Sequence, residues 1–407
     1  MLCQTALMRT VLTLNGGSSS IRFAFFDADH AGRKVLAGKL DRIGLPGTHL
    51  SVEDSRGAES SRSSIDVKAA DHRTAGAWLF DWLASQPLYG TLYGAGHRVV
   101  HGMQHAAPER ITVDLLAELK TFAPYDPEHL PRELELIDTV RRVHPDLPQV
   151  ACFDTAFHRT MPRVATLLPI PLRYASKGVQ RYGFHGLSYT FLMAELNRQG
   201  DPAAAGGRVI LAHLGNGASI AAVRRGKSID TSMGFTPAAG LVMSTRSGDL
   251  DPGLVSFLAL TESMDAPAFQ RLVNHESGLL GLSETSSDIR DLLASEPRDA
   301  RAADAIASFC YQAKKWIGSY AAALGGLDTL VFAGGIGENA PAIRARICDG
   351  LGFLGIELDD ARNGQNAPSI SAESASVMVR VIRTDEESVI AASTMQVLGQ
   401  DGKGGES

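Results

Sequence analysis

The chain has 407 residues, which at about 150 residues per domain is enough for two or three domains with buried cores. Hydrophobic residues make up 44% and charged residues 21%, close to the globular average, which excludes a disordered chain and a membrane bundle. The 39 basic and 45 acidic residues give a net charge of −6, without the basic excess that nucleic acid or a lipid surface would require. Four scattered cysteines without CxxC spacing and an N-terminus unlike a signal peptide predict a cytoplasmic protein.

Strand-like and helical patterns alternate along the chain, which predicts an α/β fold. Strands are predicted at 11–14 and 21–26, helices at 115–122 and 133–143, and further strands at 208–214 and 329–334. Residues 46–75 are rich in serine, glycine, aspartate and arginine, which indicates an exposed hairpin or loop. The apolar stretch 316–335 is interrupted by glycines and Asp328, so it predicts a buried helix and strand instead of a membrane span. We expect the tail at 399–407 to be disordered.

Two segments half a chain apart resemble each other. LNGGSSSIRF at 14–23 and LGNGASIAAV at 214–223 each combine a strand, a glycine-rich turn and a second strand. Such turns present backbone N–H groups to a ligand, and serine hydroxyls suit phosphate oxygens. The repeat predicts two related α/β domains with the active site in a cleft between them, although two ordinary hairpin turns would give the same pattern.

Two other glycine motifs raise alternatives. The only GKS, at 226–228, is not a Walker A loop because Ala221 stands where the first glycine is required. GGIGENA at 334–340 follows a strand and satisfies a GxGxxA fingerprint, with Glu357 downstream at a distance that suits a ribose contact. A dinucleotide-binding oxidoreductase is therefore an alternative function.

Two arginines and two histidines stand among glycines, where they could contact a ligand. Arg98 in GHRVVHG and Arg246 in STRSGD could clamp a carboxylate and a phosphate, because guanidinium groups suit pairs of oxygens. Each could equally form a surface or interdomain salt bridge. His185 in GFHG and His213 in HLGNG could meet a ligand or serve a structural role.

Acidic residues follow two of the predicted strands. Asp154 follows the strand LPQVACF, and a carboxylate at such a strand end could organise Mg²⁺ or orient an arginine. Residues 385–387, Asp-Glu-Glu, follow VMVRVIRT and could cap the next helix or hold a metal.

Taken together, these segments resemble the acetate kinase family, the acetokinase branch of the superfamily that includes sugar kinases and actin. The resemblance covers residues 11 to about 395 and rests on NGGSSSIR, GHRVVHG, VACFDTAFH, RYGFHGLSY, HLGNGASI, DTSMGFTPAAGLVMSTRSGDLDP, SSDIRDL, GGIGEN and TDEE. It implies two duplicated ribonuclease H-like domains, as in actin-like ATPases, with an active-site cleft between them, and a homodimer. The implied domains are 9–154 plus 387–403, binding acyl group and phosphate, and 155–386, binding nucleotide, with 404–407 as a disordered tail.

The resemblance also implies the reaction, which is reversible in-line transfer of the γ-phosphoryl group of ATP to acetate with Mg²⁺ or Mn²⁺. A carboxylate is already a nucleophile at neutral pH, so catalysis should need positioning and charge neutralisation without a strong base. Position by position, the resemblance assigns Mg²⁺ to Asn15 and Glu386, catalysis to Asp154, His185 and Arg246, and the acyl substrate to Arg98, Val100, Phe184 and Pro237. It assigns phosphate and nucleotide contacts to Ser18, Ser20, Arg22, His213, Leu214, Gly215, Asn216, Gly217, Asp288, Ile289, Arg290, Gly335, Ile336, Gly337, Glu338 and Asn339.

The chain departs from the family pattern at two places. Arg22 replaces the usual lysine, which keeps the charge but changes its reach. The family's APLHNP is APYDPEH here, so Tyr125 and Asp126 lie near the expected leucine and histidine, and a carboxylate there would repel a phosphoryl group unless it is paired or points away. Two alternatives therefore remain: a kinase of propionate or butyrate, and a degenerate member that binds nucleotide without turnover.

Overall fold

The computed structural model describes residues 8–17, 20–30, 32–44, 46–57, 60–69 and 71–401. The chain forms two compact units. The first takes in the chain up to Ala156 and again from Asp385, and the second is Phe157–Thr384. Each unit has its own β-sheet and its own helices, which confirms the α/β class. Ser18 and the tail at 404–407 lie outside the described residues. The expectation of disorder from residue 399 is wrong for 399–401, which form the end of the last helix.

The first unit is built on an eight-stranded sheet with the order β5-β4-β3-β2-β1-β6-β8-β7. Its strands are β1 (Thr10–Gly16), β2 (Ser20–Asp27), β3 (Arg33–Asp41), β4 (His49–Asp54), β5 (Ser61–Asp66), β6 (Leu92–Val99), β7 (Glu109–Arg110) and β8 (Gln149–Phe153). Its first three helices are α1 (His72–Ala84), α2 (Val113–Thr121) and α3 (Leu130–Val143). Because β1, β6 and β8 run parallel, their carboxyl ends lie at one edge of the sheet.

The core of this unit follows from the apolar residues of the central strands. β1 is buried along its whole length, and alternate residues of β2 face the same core as α1 and α3. The predicted hairpin within 46–75 is confirmed, since β4 and β5 pair antiparallel. That segment ends in a helix start that the loop prediction missed. Asp71 caps α1 by accepting a hydrogen bond from the backbone N–H of Thr74 at 2.8 Å.

The second unit has a five-stranded sheet with the order β11-β10-β9-β12-β13. Its strands are β9 (Arg208–Leu214), β10 (Ala218–Arg224), β11 (Lys227–Thr231), β12 (Thr329–Ala333) and β13 (Met378–Val381). Its helices are α4 (Arg163–Thr166), α5 (Gly186–Arg198), α6 (Pro202–Gly206), α7 (Gly253–Glu262), α8 (Ala266–His275), α9 (Gly278–Ser283), α10 (Ile289–Ser295), α11 (Ala300–Leu324), α12 (Gly334–Asn339), α13 (Pro341–Cys348) and α14 (Asp360–Gly364). The buried helix and strand predicted at 316–335 are the end of α11 and β12. Within the described part of the chain, no helix combines the length and hydropathy of a membrane span.

The two sheets share one topology. In the second unit β9 pairs antiparallel with β10 and parallel with β12, and β10 pairs antiparallel with β11. In the first unit β1 has the same relation to β2 and β6, and β2 to β3. The duplication expected from the two glycine-rich hairpins is therefore present in the backbone.

The last helix, α15 (Glu386–Asp401), belongs to the first unit, where it packs on β1, β6 and β8. β6 has glycines where the helix comes close, and a side chain at Gly96 would overlap Thr394 and Ile390. This packing brings the start of α15 to the carboxyl ends of the central strands.

Candidate active site

Arg98, at the carboxyl end of β6, is held by Asp154, which follows β8. The Nε and Nη2 atoms of Arg98 donate to Asp154 Oδ2 at 2.9 and 2.6 Å. Its Nη1 donates to the carbonyl oxygen of Gly16 at 2.9 Å. The Arg98 and Asp154 side chains are 13% and 1% exposed. The structure thus brings the predicted substrate-binding arginine and the predicted catalytic carboxylate into one fixed pair, and Asp154 orients an arginine as the sequence suggested.

A second carboxylate at Arg98 was missed by the sequence analysis. Glu133, in the first turn of α3, accepts from Arg98 Nη1 at 2.9 Å through Oε1 and from the backbone N–H of Val100 at 2.7 Å through Oε2. The signal that could have found it is its spacing, because Glu133 falls on the face of α3 that carries Leu130 and Ile137. Burial raises the pKa of Glu133, while the charge of Arg98 and the Val100 N–H oppose that rise.

Asn15, at the end of β1, contacts the acidic start of α15. Its Nδ2 donates to Glu386 Oε2 at 2.8 Å and lies 3.5 Å from Glu387 Oε1. Burial raises the pKa of Glu386, with Asp154 adding to the rise. Burial also raises the pKa of Glu387, and the charge of Glu386 adds to it. The charges of neighbouring carboxylates thus add to the effect of burial at this edge of the sheet, and a bound cation would offset both.

The donor set fits Mg²⁺. Asp154 Oδ1 is buried and accepts no hydrogen bond from any described residue, which leaves a carboxylate oxygen available beside Glu386 and Asn15. Within the described residues, no group of three His, Cys, Asp or Glu side chains is arranged to hold a metal by itself. Mg²⁺ ordinarily keeps several waters and binds through one or two carboxylates together with substrate phosphates, so this small set of oxygen donors suits it.

In the second unit, His185 and His213 stack with ring centroids 4.2 Å apart. Nδ1 of His185 hydrogen-bonds to Ser219 Oγ at 2.8 Å, and Nδ1 of His213 hydrogen-bonds to Ser188 Oγ at 2.8 Å. His185 precedes α5 with a φ of 59°, a left-handed conformation that an ordinary helical residue does not adopt. Both imidazoles are therefore held through Nδ1, and the serines are supporting residues that the sequence did not indicate.

Gly217, in the turn between β9 and β10, lies beside His185 and Arg246. An added Cβ at Gly217 would be 3.3 Å from His185 Nε2 and 3.6 Å from Arg246 Nη1. Arg246 Nη1 also donates to the carbonyl oxygen of Pro237 at 3.2 Å. The predicted catalytic histidine and the second predicted arginine thus meet at a glycine, which leaves room for a ligand between polar groups.

The same turn adjoins the start of α12. An added Cβ at Gly215 would lie 3.7 Å from the backbone nitrogen of Gly335. Gly334 has a φ of +76°, and a Cβ there would lie 2.6 Å from the carbonyl oxygen of Leu214. Glu338 Oε1 accepts from the backbone N–H groups of Gly334 and Thr384 at 2.9 and 3.1 Å. The predicted nucleotide segments 213–217 and 335–339 therefore form one glycine-rich surface in which Glu338 fixes the backbone.

Several predicted nucleotide contacts also serve the local fold. Asp288 caps α10 by accepting from the backbone N–H of Arg290 at 2.9 Å, and its carboxylate pairs with the Arg290 side chain, which is 85% exposed. Ile289 and Ile336 are buried, Asn339 Nδ2 donates to Gly335 O, and Asn216 O accepts from the N–H of Ser244. These contacts hold the segments in place within the second unit.

The remaining predicted acyl and phosphate residues are divided between the units. Val100 is buried in the first unit, and Phe184 and Pro237 are buried in the second. Ser20 accepts from the N–H of Gly17 at 2.7 Å through its carbonyl oxygen. Arg22 is exposed on β2 opposite Asn15. Its charge, like that of Arg98 and like the Asn15 hydrogen bond, opposes the rise in the pKa of Glu386 that burial and Asp154 cause.

The segment that departs from the family pattern folds onto itself. Asp126 is 3% exposed, and its carboxylate lies 3.0 Å from His129 Nδ1 and accepts from the His129 backbone N–H at 3.0 Å. The Tyr125 ring packs 5.8 Å from the His101 ring. Asp126 is thus buried and hydrogen-bonded within its own segment, to both the backbone and the ring of His129.

Comparisons with known proteins identify relatives over nearly the whole chain. The model of the acetokinase family matches residues 10–392. An acetate kinase of Rhodopseudomonas palustris is 43% identical over 94% of this chain and 96% of its own length. A propionate kinase of Citrobacter rodentium is 41% identical over 95% of this chain and 96% of its own.

Solved structures give the same result. The crystal structure of Porphyromonas gingivalis acetate kinase has a TM-score of 0.84 and 36% identity, covering 96% of this chain and 100% of that one. A propionate kinase from Francisella tularensis has a TM-score of 0.88 and 34% identity over 96% and 100%. These likenesses confirm the duplicated α/β fold of actin-like ATPases, and they do not support the dinucleotide-binding alternative for Gly335, Gly337 and Ala340.

Proposed function

Because the chain belongs to the acetokinase family, we propose that it transfers the γ-phosphoryl group of ATP to acetate, forming acetyl phosphate and ADP reversibly. The observation that carries this proposal is the Arg98–Asp154 pair beside Asn15 and Glu386. It combines a fixed guanidinium for a carboxylate with oxygen donors for Mg²⁺. Phosphoryl transfer needs both, because negative charge must be neutralised on the acceptor and on the phosphate chain.

In this proposal the first unit prepares the acceptor. Arg98 binds one carboxylate oxygen of acetate and orients the other toward the phosphoryl group. Val100, buried just after β6, provides an apolar neighbour for the methyl group. Asn15, Asp154 and Glu386 would hold Mg²⁺, or Mn²⁺ in its place, and the ion would supply positive charge against the phosphate oxygens.

The second unit would bind ATP and steady the phosphoryl group. His185 and Arg246 flank Gly217, where a phosphoryl oxygen could receive hydrogen bonds from both side chains. The glycine surface formed by 215–217 and 334–337 lets backbone N–H groups approach the nucleotide closely. No general base is assigned, because the carboxylate acceptor is ionised at neutral pH.

The acyl acid is the part of this proposal that needs measurement, since relatives carry the names of both acetate and propionate kinases. Purified protein with Mg-ATP and each acid from formate to butyrate is assayed for acyl hydroxamate. The highest kcat/KM with acetate is the expected result. A clear preference for propionate or butyrate would replace acetate by the longer acid, and ATP binding without turnover on any acid would indicate the degenerate alternative.

We also propose a homodimer, which two exposed helices of the second unit support. Among the described residues, α7 and α8 contribute no buried side chain, although α7 reads GLVSFLALTE. Phe257 and Leu260 are 59% and 86% exposed. An apolar helix of this kind marks an interaction surface. Light scattering should give twice the mass of 43.3 kDa, and Leu260→Glu should give monomers; a monomeric parent protein would refute the dimer.

We further expect the enzyme to act in the cytoplasm. The described cysteines Cys152, Cys310 and Cys348 are buried free thiols, which agrees with a reducing compartment.

A further inference from the structure

Glu133 is a buried carboxylate whose two oxygens serve two different parts of the proposed acyl site. One oxygen accepts from the Arg98 guanidinium at 2.9 Å and the other from the backbone N–H of Val100 at 2.7 Å. The Glu133 side chain is 2% exposed. A buried charge is costly unless it is paired and hydrogen-bonded, so a glutamate at this position indicates that these two bonds matter.

The hydrogen bonds of Arg98 show what Glu133 adds. A guanidinium carries five N–H donors. In the described part of the chain, four are used: Nε and one Nη2 proton by Asp154, and the two Nη1 protons by Gly16 O and Glu133. One Nη2 proton is left for an incoming oxygen. Asp154 holds Nε and Nη2, and Glu133 together with Gly16 O holds Nη1, so all three nitrogens of the guanidinium are restrained.

We propose that Glu133 is a positioning residue that ties Arg98 to the backbone at Val100, so that the cation and the apolar wall of the acyl site keep one fixed arrangement. This inference rests on the proposed function, because it assigns Arg98 to the acyl carboxylate. The residue acts through Arg98 and does not itself touch the substrate.

The local fold holds Glu133 in place. Pro131 lies at the start of α3, where its fixed φ favours the first helical turn, and Glu133 belongs to that turn. The N-terminal end of a helix favours a carboxylate over a neutral group. Gly16, which accepts from Arg98, packs against Glu133 from the other side, because an added Cβ at Gly16 would lie 3.6 Å from Glu133 Cγ.

Both oxygens of Glu133 must be acceptors, since each faces an N–H donor. Glutamine has the same shape but offers one carbonyl oxygen and one NH₂ group. In Glu133→Gln the NH₂ group would therefore face either Arg98 or the Val100 N–H, donor against donor. Aspartate keeps two acceptors and the charge, but its side chain is shorter by one methylene group. The two variants thus weaken the bridge to different degrees.

The test compares steady-state kinetics of the parent protein, Glu133→Asp and Glu133→Gln, with the carboxylate and ATP varied in turn. We expect the KM for acetate to rise a fewfold in Glu133→Asp and at least about tenfold in Glu133→Gln, as for the loss of a hydrogen bond to a charged group. The KM for ATP should stay within twofold, because Glu133 lies in the first unit. A general loss of structure would instead raise the KM for acetate and the KM for ATP together, or would lower the amount of active enzyme and leave both KM values unchanged.

Glu135→Gln is the matched control, since Glu135 lies on the same helix with its side chain exposed, and it should change neither KM. An unchanged KM for acetate in Glu133→Gln, or equal increases in both KM values, would overturn the positioning role. If Glu133→Gln fails to fold, Glu133→Asp still decides, because an acetate KM equal to that of the parent would refute the inference. A parent protein inactive with every acid would instead refute the proposed function, and the Glu133 inference with it.

Discussion

Replacing Asp154 by asparagine should separate catalysis from folding at the first unit's central pair. Asparagine keeps the shape and one oxygen but removes the negative charge that faces Arg98. In the native protein, Asp154 Oδ2 accepts from Arg98 Nε and Nη2 at 2.9 and 2.6 Å, and the side chain is 1% exposed. The variant therefore alters one buried charge with little change in packing.

The stability loss should be smaller than for an ordinary buried ion pair. Removing one partner of such a pair costs about 3–5 kcal/mol because the other charge is left alone. Here Arg98 retains Glu133, and the charge of Asp154 also raises the pKa of Glu386, so its removal relieves a repulsion. We expect a decrease of about 1–3 kcal/mol in the free energy of unfolding. The effect on kcat should be on the order of 10²–10³-fold, as for the loss of a group that fixes transition-state charge.

Acyl hydroxamate formation gives kcat, and urea unfolding followed by circular dichroism gives the stability. Asp201→Asn is the control, because Asp201 is also a buried carboxylate and is paired with Arg380 at 2.6 Å. It lies in the second unit, where it also accepts hydrogen bonds from Thr329 and from the start of α6. It should lose at least as much stability while kcat stays within twofold. Retention of more than a tenth of kcat by Asp154→Asn, or an equal loss of kcat in Asp201→Asn, would show that Asp154 has no special catalytic role.

Three further outcomes test other parts of the site. In Gly334→Ala, the added Cβ would lie 2.6 Å from the carbonyl oxygen of Leu214, in a residue with a φ of +76°. Because alanine is unfavourable in this left-handed conformation and the clash would shift the turn, the KM for ATP should rise about tenfold or more, while the KM for acetate is unchanged. Asn15→Ala removes the 2.8 Å hydrogen bond to Glu386 and should raise the Mg²⁺ concentration for half-maximal rate about tenfold, which titration of Mg²⁺ at fixed ATP would measure. Burial lowers the pKa of His97 from 6.5 to about 4, so its contribution to stability is present above pH 6.5 and is lost as the pH falls toward 4. Between pH 7.5 and pH 5, urea unfolding should show that the parent protein loses about 2 kcal/mol more stability than His97→Gln, because His101, whose pKa burial also lowers to about 4, contributes equally to both proteins.

The sequence predicted the parts of the fold that depend on local pattern. Runs of apolar residues and glycine turns involve residues that are close together in the sequence, and these patterns predicted β1, β2, β9 and β12 correctly. The pairing of Arg98 with Asp154 was also within reach, because residues at the carboxyl ends of parallel strands meet at one edge of a sheet. Asn15 and Glu386 are 371 residues apart, and only the family resemblance indicated that they belong together.

The sequence could not show the residues whose role depends on how a helix packs. The helical spacing of Glu133 puts it on the buried face of α3, but this pattern does not show that Arg98 is the residue that its carboxylate contacts. Ser219 reads as an ordinary strand residue until β10 sets it beside His185. The sequence likewise does not show what surrounds Asp126, since its contact with His129 depends on the turn that precedes α3.

The duplicated topology places side chains of opposite charge at equivalent positions of the two units. In both units a glycine-rich turn follows the first central strand, and a parallel strand ends beside it. In the first unit the side chains around that edge are mainly carboxylates: Asp154 pairs with Arg98, and Glu386 and Glu387 lie beside Asn15. In the second unit the corresponding turn is flanked by imidazoles and Arg246, which carry neutral or positive groups. Backbone placement is thus common to both halves, and under the proposed function the difference in side-chain charge suits one turn to a cation and the other to an anion.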